Sequence, residues 1–313
     1  MENPLHSLGY KLLNTSLQAD SEEPTALSTL SRRGFLLAAA SLSSCAAAEP
    51  LLPRPGPFAD PAAEALKNPA ATDNTPPVKQ AVPRNPETAP KADISKNNGI
   101  SFSRVMVSGN YIAMTFDDGP HPKNTPRLLT MLRERNIKAT FYVIGQSVDL
   151  YPQIVRRTVA EGHEIGNHSH THRLLSKMSD DGIRKELSSC RDAIARAAGV
   201  QPRTMRPPYG GLLQRQREWI HAEYNYPTIL WSVDPLDWKR PGASVVSSRI
   251  LAGASNGGIV LAHDLHAQTV DAMPATLDGL LRRGFKFVTV SQLLAMKTET
   301  PAAAPAPVAP SNI

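Results

Sequence analysis

Two adjacent carboxylates, and a histidine cluster further along the chain, carry the chemistry that this sequence suggests most strongly. Asp117 and Asp118 follow the apolar run 111–116, and a Gly-Pro pair then takes the backbone out of a predicted strand. His168 and His172 are spaced i and i+4, so a helical turn would place both imidazoles on one face. One carboxylate and two imidazoles make a three-ligand site for a divalent metal ion with open positions. The second carboxylate is then free to act as a base.

Each half of this pattern also has an ordinary explanation. Asp, Gly and Pro are common turn formers, so the acidic pair at 117–118 could belong to a turn alone. The histidine-rich stretch 168–172 could be a solvated loop or an adventitious metal binder. Two histidines and one carboxylate are also the metal-ligand set of non-haem iron oxygenases. A second carboxylate beside the ligands favours hydrolysis over oxygen chemistry.

The elements that must position these groups alternate between short apolar strands and amphipathic helices. The predicted strands are 111–116, 140–144, 164–167, 204–206, 228–232, 258–262 and 287–290. The predicted helices are 125–135, 152–161, 180–198, 214–224, 245–254 and 270–283. This alternation is typical of the α/β class with a parallel sheet, and the length favours a closed barrel over two stacked domains.

Polar side chains occur at or just after the end of most predicted strands. They are Asp117 and Asp118, His168, Arg206, Asp234 and Asp237, and His263. Active sites of parallel α/β proteins assemble at the carboxyl ends of their strands. We therefore expect separate loops to deliver these groups to one rim.

Five ordered motifs give the sequence a specific resemblance. They are 115–120 (TFDDGP), 168–172 (HSHTH), 206–210 (RPPYG), 234–238 (DPLDW) and 261–264 (LAHD). In this order they resemble the motifs of NodB-homology polysaccharide deacetylases, carbohydrate esterase family four, over about residues 111–296. The resemblance implies a deformed (β/α) barrel of about seven parallel strands in a single catalytic domain. It also implies hydrolysis of N-acetyl groups on polymeric amino sugars.

The resemblance also implies a role for each matching residue. Asp118, His168 and His172 would bind the metal ion, Asp117 would be the general base and His263 the general acid. A divalent ion there would activate water and polarise the acetyl carbonyl. Because an amine leaves poorly without a proton, the reaction needs an acid.

Supporting residues follow from the same resemblance. Arg206 would pair with Asp117, Asp237 would pair with His263 and raise its pKa, and the backbone N–H of Tyr209 would face the developing oxyanion. Trp238, Leu261, Pro207 and Tyr209 would contact the substrate. A structural role is expected for the remaining candidates, with Asp264 as a helix cap and with Asp234, His163, His170 and His266 outside the site.

Zinc suits the expected ligand set, and cobalt, nickel or iron would also fit. The predicted function is removal of N-acetyl groups from a GlcNAc-containing polysaccharide, peptidoglycan or chitin-like, with release of acetate. One alternative is an O-acetyl esterase acting on a polysaccharide such as xylan, because the same site would cleave the easier ester. Another is a carbohydrate-binding lipoprotein without catalysis, against which the intact Asp117 and His263 argue.

Composition narrows the range of partners. The 313-residue chain is 41% hydrophobic, with a formal charge of +6 and a pI near 9.4. That charge would suit an anionic surface, but Lys and Arg are scattered along helices without interleaved aromatics, which excludes nucleic acid. We expect a monomer whose partner is an amino-sugar polysaccharide.

The first residues predict export. Arg32 and Arg33 precede an apolar stretch too short to span a bilayer, which is typical of a twin-arginine signal. Residues 42–45 resemble a lipobox, so residues 1–45 are interpreted as an export signal and Cys45 as a lipidation site. The alternative is cleavage after Ala48 and release of a soluble protein. The favoured interpretation gives a membrane-anchored lipoprotein of the cell envelope, facing the periplasm or cell surface, without a transmembrane helix in the mature protein.

The other boundaries follow from proline content. Residues 46–100 are predicted to be a Pro-rich disordered linker, 101–297 the deacetylase domain and 298–313 a disordered Pro/Ala-rich tail. Besides Cys45 there is only Cys190, which excludes a disulfide framework. Cys190 lies in a helical pattern and is expected to be a small core residue.

Overall fold

The computed structural model describes residues 81–86 and 99–297, and the following account is confined to them. The predicted signal, the lipidation site Cys45, most of the predicted linker and the predicted tail lie outside these ranges. Within them, no helix is long and apolar enough to cross a membrane.

Short parallel strands form the centre of the domain. They are β1 (Ser101–Phe102), β2 (Tyr111–Asp117), β3 (Thr140–Val143), β4 (Glu164–Asn167), β5 (Thr228–Ile229), β6 (Gly258–Val260) and β7 (Lys286–Phe287). Strand β2 is the central one, since β3 pairs with its end at 115–117 while β6 and β7 pair with residues nearer its start. All but the first residue of β2 are buried, as expected for a parallel strand covered on both faces.

The strands close into an irregular ring. Strand β4 is joined to β5 through single bridges of Met205 to Asn167 and to Thr228, and Val233 bridges to Val260 of β6. Because β6 then pairs with β2, the circuit β2, β3, β4, β5, β6 is complete. The predicted α/β class with a deformed barrel is confirmed.

One predicted strand is wrong. Residues 204–206 form only the bridge at Met205, not a strand. Prolines stand at positions 202, 207 and 208, and a proline lacks the N–H that a ladder needs. Strand β1 was not predicted, because two residues are too few to show alternation.

Eight helices surround the described strands. They are α1 (Asn124–Glu134), α2 (Gly145–Leu150), α3 (Pro152–Ala160), α4 (Asp180–Ala198), α5 (Gln214–Tyr224), α6 (Ala243–Gly253), α7 (Ala267–Arg282) and α8 (Val290–Ala295). The six longer ones match the predicted helices to within three residues at each end. The two six-residue helices, α2 and α8, were missed because they are too short to show a period of 3.6.

Helix α4 illustrates how the sequence sets these elements. The Ser179 hydroxyl accepts the N–H of Gly182 at its start, and Gly199 ends it in the left-handed conformation with φ of 69°. Its apolar face is buried and includes Cys190, whose thiol lies 3.4 Å from the carbonyl oxygen of Val143. Burial raises the pKa of Cys190 to about 12, so the predicted core role of this thiol is confirmed.

Part of the predicted linker packs on the barrel. Asn85 is buried; its amide donates to the Phe287 carbonyl oxygen at 3.0 Å, and its side-chain oxygen accepts the Phe287 N–H at 2.8 Å. Its backbone N–H donates to the Arg135 carbonyl oxygen at 2.8 Å. Residues 81–86 thus differ from the predicted disordered linker, because Asn85 supplies hydrogen bonds to backbone groups at the edge of the barrel.

Candidate active site

The polar residues expected at one rim do lie together. Asp117 is the last residue of β2 and forms a parallel bridge with His263, which follows β6. His168 follows β4, and its backbone N–H donates to Val143 at the end of β3. The strand ends therefore bring residues far apart in sequence to the same edge of the barrel.

Three side chains form a cluster suited to a cation. The Asp118 Oδ1 atom lies 3.3 Å from Nε2 of His168 and 3.1 Å from Nε2 of His172. The three candidate ligand atoms are all within 4.8 Å of one another, and no other group of three such ligands occurs among the described residues.

The orientation of His168 fits a metal ligand. Its Nδ1 atom lies 2.7 Å from the carbonyl oxygen of Arg206, so Nδ1 carries the proton and donates it. The Nε2 atom faces Asp117 and Asp118; burial opposes protonation, but these carboxylates raise the pKa of His168 and favour a positive charge at Nε2, a place that a divalent cation can take instead of the proton. Burial opposes ionisation of Asp118, but His168 and His172 lower its pKa well below the ordinary range. The donor set therefore fits one divalent ion.

The histidine loop reaches this arrangement without a helix, contrary to the expectation of a helical turn. Ser169 and His172 adopt left-handed conformations, with φ of 64° and 58°. The His172 N–H donates to the Ser169 hydroxyl at 3.0 Å, and the Ser169 N–H donates to Asn167 Oδ1 at 2.9 Å. Local side-chain acceptors thus replace the helical hydrogen bonds and fold the loop back on itself.

Glu186 holds the same loop from α4. Its carboxylate accepts the backbone N–H groups of His170 at 2.9 Å and Thr171 at 2.7 Å, and the Thr171 hydroxyl at 2.6 Å. Sequence reasoning missed this residue. A signal was present, because Glu186 lies on the buried face of α4 beside Ile183, where an unpaired carboxylate would be costly.

Asp117 and Arg206 form a buried pair. Nη1 of Arg206 donates to Asp117 Oδ1 and to the Thr115 hydroxyl, each at 2.7 Å. The rest of the guanidinium donates to the carbonyl oxygens of Ile229 and Leu230, and it stacks over the Tyr142 ring. Arg206 is completely buried, so these partners fix its position. The predicted contact between Arg206 and Asp117 is present.

His263 and Asp237 form a second pair. Nδ1 of His263 lies 2.8 Å from Asp237 Oδ1, and the backbone N–H of His263 and the Thr269 hydroxyl both donate to Asp237 Oδ2 at 2.8 Å. Burial opposes protonation of His263, but the hydrogen bond and charge of Asp237 outweigh it and raise its pKa to about 9. His263 is thus a protonated donor at neutral pH.

The predicted substrate-contacting residues differ in exposure. Tyr209 is 58% exposed, has a φ of 60°, and packs edge-on against His172 at 4.9 Å between ring centroids. Trp238 is 39% exposed, whereas Leu261 and Pro207 are buried. A bound molecule could therefore contact the two exposed aromatic rings at the surface of the rim. It could reach the two buried residues only by entering the rim.

The other candidate residues lie outside the ligand cluster. His163 is buried, accepts the N–H of Ala139 at 3.1 Å, and has a pKa lowered to about 3 by burial. His170 lies two residues after the candidate ligand His168 but contributes only its backbone to the hydrogen bonds described above. Asp264 is not the helix cap that was expected, because α7 begins at Ala267 with His266 as its N-cap.

Comparisons with known proteins agree with this geometry. A family model described as polysaccharide deacetylase matches residues 105–228. The peptidoglycan-N-acetylglucosamine deacetylase of Bacillus cereus is 36% identical over 231 residues, which cover 70% of this chain and 83% of that protein. The peptidoglycan-N-acetylglucosamine deacetylase PgdA of Listeria monocytogenes is 42% identical over 188 residues, or 60% of this chain, and this chain spans 40% of its length.

A solved structure matches as well. The crystal structure of the Bc1960 peptidoglycan N-acetylglucosamine deacetylase, in complex with 4-naphthalen-1-yl-N-oxidanyl-benzamide, has 34% sequence identity and a TM-score of 0.60. The match covers 63% of this chain and 94% of that one. The chain belongs to the polysaccharide deacetylase family of enzymes, the NodB-homology proteins of carbohydrate esterase family four.

Proposed function

We propose that this protein is a metal-dependent hydrolase that removes N-acetyl groups from a GlcNAc-containing polysaccharide and releases acetate. The observation that carries the proposal is the joint presence of a three-ligand cluster, a carboxylate beside it and a protonated histidine at the same rim. Peptidoglycan is the favoured polymer, because the two relatives above are named for it. A chitin-like oligosaccharide is the second candidate.

Asp118, His168 and His172 would hold one divalent ion, for which we propose zinc. When bound, the ion would supply Lewis-acid activation of water and of the acetyl carbonyl. Asp117 would accept the proton from the attacking water. Its Oδ2 atom lies 3.7 Å from Nε2 of His168 and is not the oxygen that binds Arg206, so it remains available on the ligand side.

His263 would donate the proton that the departing amine requires. Its Nδ1 atom is engaged by Asp237, so Nε2 is the atom left to face substrate. The raised pKa keeps that proton in place at neutral pH, and Asp237 compensates the imidazolium charge. The backbone N–H of Tyr209 would stabilise the oxyanion, while Trp238, Leu261 and Pro207 would shape the acetyl pocket.

An O-acetyl esterase would use the same groups. It would, however, depend less on His263, because an alkoxide is a better leaving group than the amide anion that forms when nitrogen departs without a proton. The presence of a histidine with a raised pKa thus favours amide cleavage over ester cleavage. A binding protein without catalysis would need neither this acid nor a base.

We also propose the cell envelope as its location. The support is the twin-arginine pattern at 32–33 and the lipobox-like residues 42–45 in the sequence. A Cys45→Ala protein should no longer fractionate with membranes. If the variant still did so, lipidation at Cys45 would be wrong.

The test of activity is acetate release by the purified, zinc-loaded chain from three polymers: peptidoglycan, chitin oligomers and acetylxylan. We expect release from peptidoglycan that a chelator abolishes and zinc restores. Release from acetylxylan alone would instead establish the esterase. No release from any polymer by metal-loaded protein would contradict the proposal.

A further inference from the structure

Asp264 is a buried acidic residue that the mechanism above does not use. It directly follows His263, its exposure is 0%, and burial raises its pKa to about 7. It does not cap α7, so it needs another explanation. Its contacts lie on a different part of the chain, the segment that follows Asp118.

The first contact is through Thr125 on α1. The Thr125 hydroxyl accepts the N–H of His121 at 2.7 Å, so its single proton is free to be donated to Asp264 Oδ2, with which it forms a short hydrogen bond. Asn124 adds a parallel connection, since its amide donates to the carbonyl oxygen of Leu265 at 2.9 Å. The start of α1 is therefore tied to residues 264–265.

The second contact is with Gly119, which directly follows Asp118. A Cβ atom at Gly119 would lie 2.7 Å from Asp264 Oδ1, 2.9 Å from Oδ2 and 3.1 Å from Cγ, and these are its three nearest atoms. Gly119 is not among the residues with positive φ, so its backbone would accept an alanine. The three atoms nearest to such a Cβ thus all belong to the Asp264 carboxyl group.

These contacts connect two halves of the site. Residues 117–119 carry the proposed base and a proposed metal ligand, whereas the loop after β6 carries the proposed acid. The strands beneath are already joined, because the Asp117 N–H donates to the Ala262 carbonyl oxygen at 2.9 Å. Asp264 connects the same two segments beyond the ends of the strands, where backbone hydrogen bonds between strands no longer join them.

We propose that Asp264 is a positioning residue that fixes the Asp117-Asp118-Gly119 turn against the His263 loop and so sets the separation of base and acid. The role rests on the proposed function, but the packing of Asp264 on Gly119 can be tested without it. Small displacements of catalytic groups are costly, since an error of about 1 Å can lower a rate by about a hundredfold.

The kinetic test compares Thr125→Val, Asp264→Ala and the double variant on a soluble peptidoglycan fragment at saturating zinc. We expect kcat per folded molecule to fall about tenfold in each single variant, with KM nearly constant. The double variant should fall no further than Asp264→Ala, because both changes break one connection. Thr158→Val is the matched control, since this buried hydroxyl donates only to the Ile154 carbonyl oxygen within α3 among the described hydrogen bonds, and its kcat should be unchanged.

The second test needs no activity. Gly119→Ala should weaken zinc affinity and lower the denaturant midpoint of unfolding. Adding Asp264→Ala should restore both in part, because it removes the atoms that Cβ would meet. Additive effects of the two changes would overturn the contact, and a normal kcat in Asp264→Ala would overturn the positioning role. The wild type could prove inactive while Asp264→Ala still partly restores the zinc affinity and denaturant midpoint of Gly119→Ala. That result would contradict the proposed function and leave the contact established.

Discussion

The rim contains two buried carboxylate–cation pairs that differ in whether the cation can lose its proton. Arg206 lies 2.7 Å from Asp117, and His263 lies 2.8 Å from Asp237, so the two pairs are alike in distance. A guanidinium does not deprotonate in proteins, whereas an imidazolium does. In the proposed mechanism the carboxylate is therefore the reactive member of the first pair, and the cation is the reactive member of the second.

The partners around each pair agree with this difference. Arg206 donates to several acceptors, including the Thr115 hydroxyl and one oxygen of Asp117. The other oxygen of Asp117 makes no hydrogen bond with Arg206. Asp237 accepts from several donors, including the Thr269 hydroxyl, and binds only the Nδ1 atom of His263. The Nε2 atom of His263 is therefore not engaged by this pair. Arg206 makes four side-chain hydrogen bonds and the Asp237 carboxylate makes three, whereas Asp117 and His263 each retain one side-chain atom outside the pair.

The largest effect should come from removing the reactive carboxylate. Asp117→Asn keeps the shape but cannot accept a proton, so we expect kcat to fall by about 10³ or more with zinc content unchanged. His168→Ala should lose both zinc and activity. Metal analysis and acetate release on both variants check this, with Asp149→Asn on the surface as control. Near-normal turnover by Asp117→Asn would show that another group is the base.

Removing the reactive cation should have the next largest effect. His263→Ala should lower kcat by about 10² to 10³ on an N-acetylated polymer, because the amine then leaves without its proton. Zinc content should remain that of the wild type. His266→Ala is the matched control, since its ring lies 6.3 Å from that of His263 but does not contact Asp237 by any described hydrogen bond. An unaffected rate in His263→Ala would exclude it as the acid.

Removing the permanent cation should chiefly affect stability. Arg206→Met leaves Asp117 buried without its partner, which should lower the free energy of unfolding by about 3–5 kcal/mol. Arg206→Lys should recover only part of this loss, because one ammonium group cannot reach all four acceptors. Denaturant unfolding of the metal-free proteins measures both. A stability loss below about 1 kcal/mol would mean that water replaces the guanidinium.

The smallest effect should be a shift in pH dependence. The activity of the wild type should decline as pH rises through about 9, where His263 loses its proton. Because the folded pKa exceeds the ordinary value of 6.5, this pair stabilises the protein fully below about pH 6.5 and loses its contribution as pH approaches 9. Asp237→Asn should move the alkaline limb of activity to lower pH.

Rate profiles from pH 6 to 10 measure that shift, with Asp271→Asn as a control on the surface of α7, where the carboxylate pairs with exposed Arg127. An alkaline limb that stays at the same pH in Asp237→Asn would show that it belongs to another group.

The sequence predicted the proposed reactive residues and their direct partners, Arg206 and Asp237, but not the groups that hold the surrounding loops. Asp117, His168 and His263 follow strands whose apolar runs are visible in the sequence, so their common rim could be inferred. Glu186 is bound to the site through three hydrogen bonds and Thr269 through one, all across tertiary contacts that no local pattern reveals. The expected helical turn at 168–172 was wrong because side-chain acceptors at Asn167 and Ser169 outcompete the helical pattern.

Asn85 fixes the described segment 81–86 at one end of the barrel. Its partners, Phe287 and Arg135, lie beside the starts of β2 and β3, so the chain joins the barrel opposite the strand ends that carry the site. A substitution at Asn85 would therefore act on the barrel from the end remote from the proposed catalytic groups.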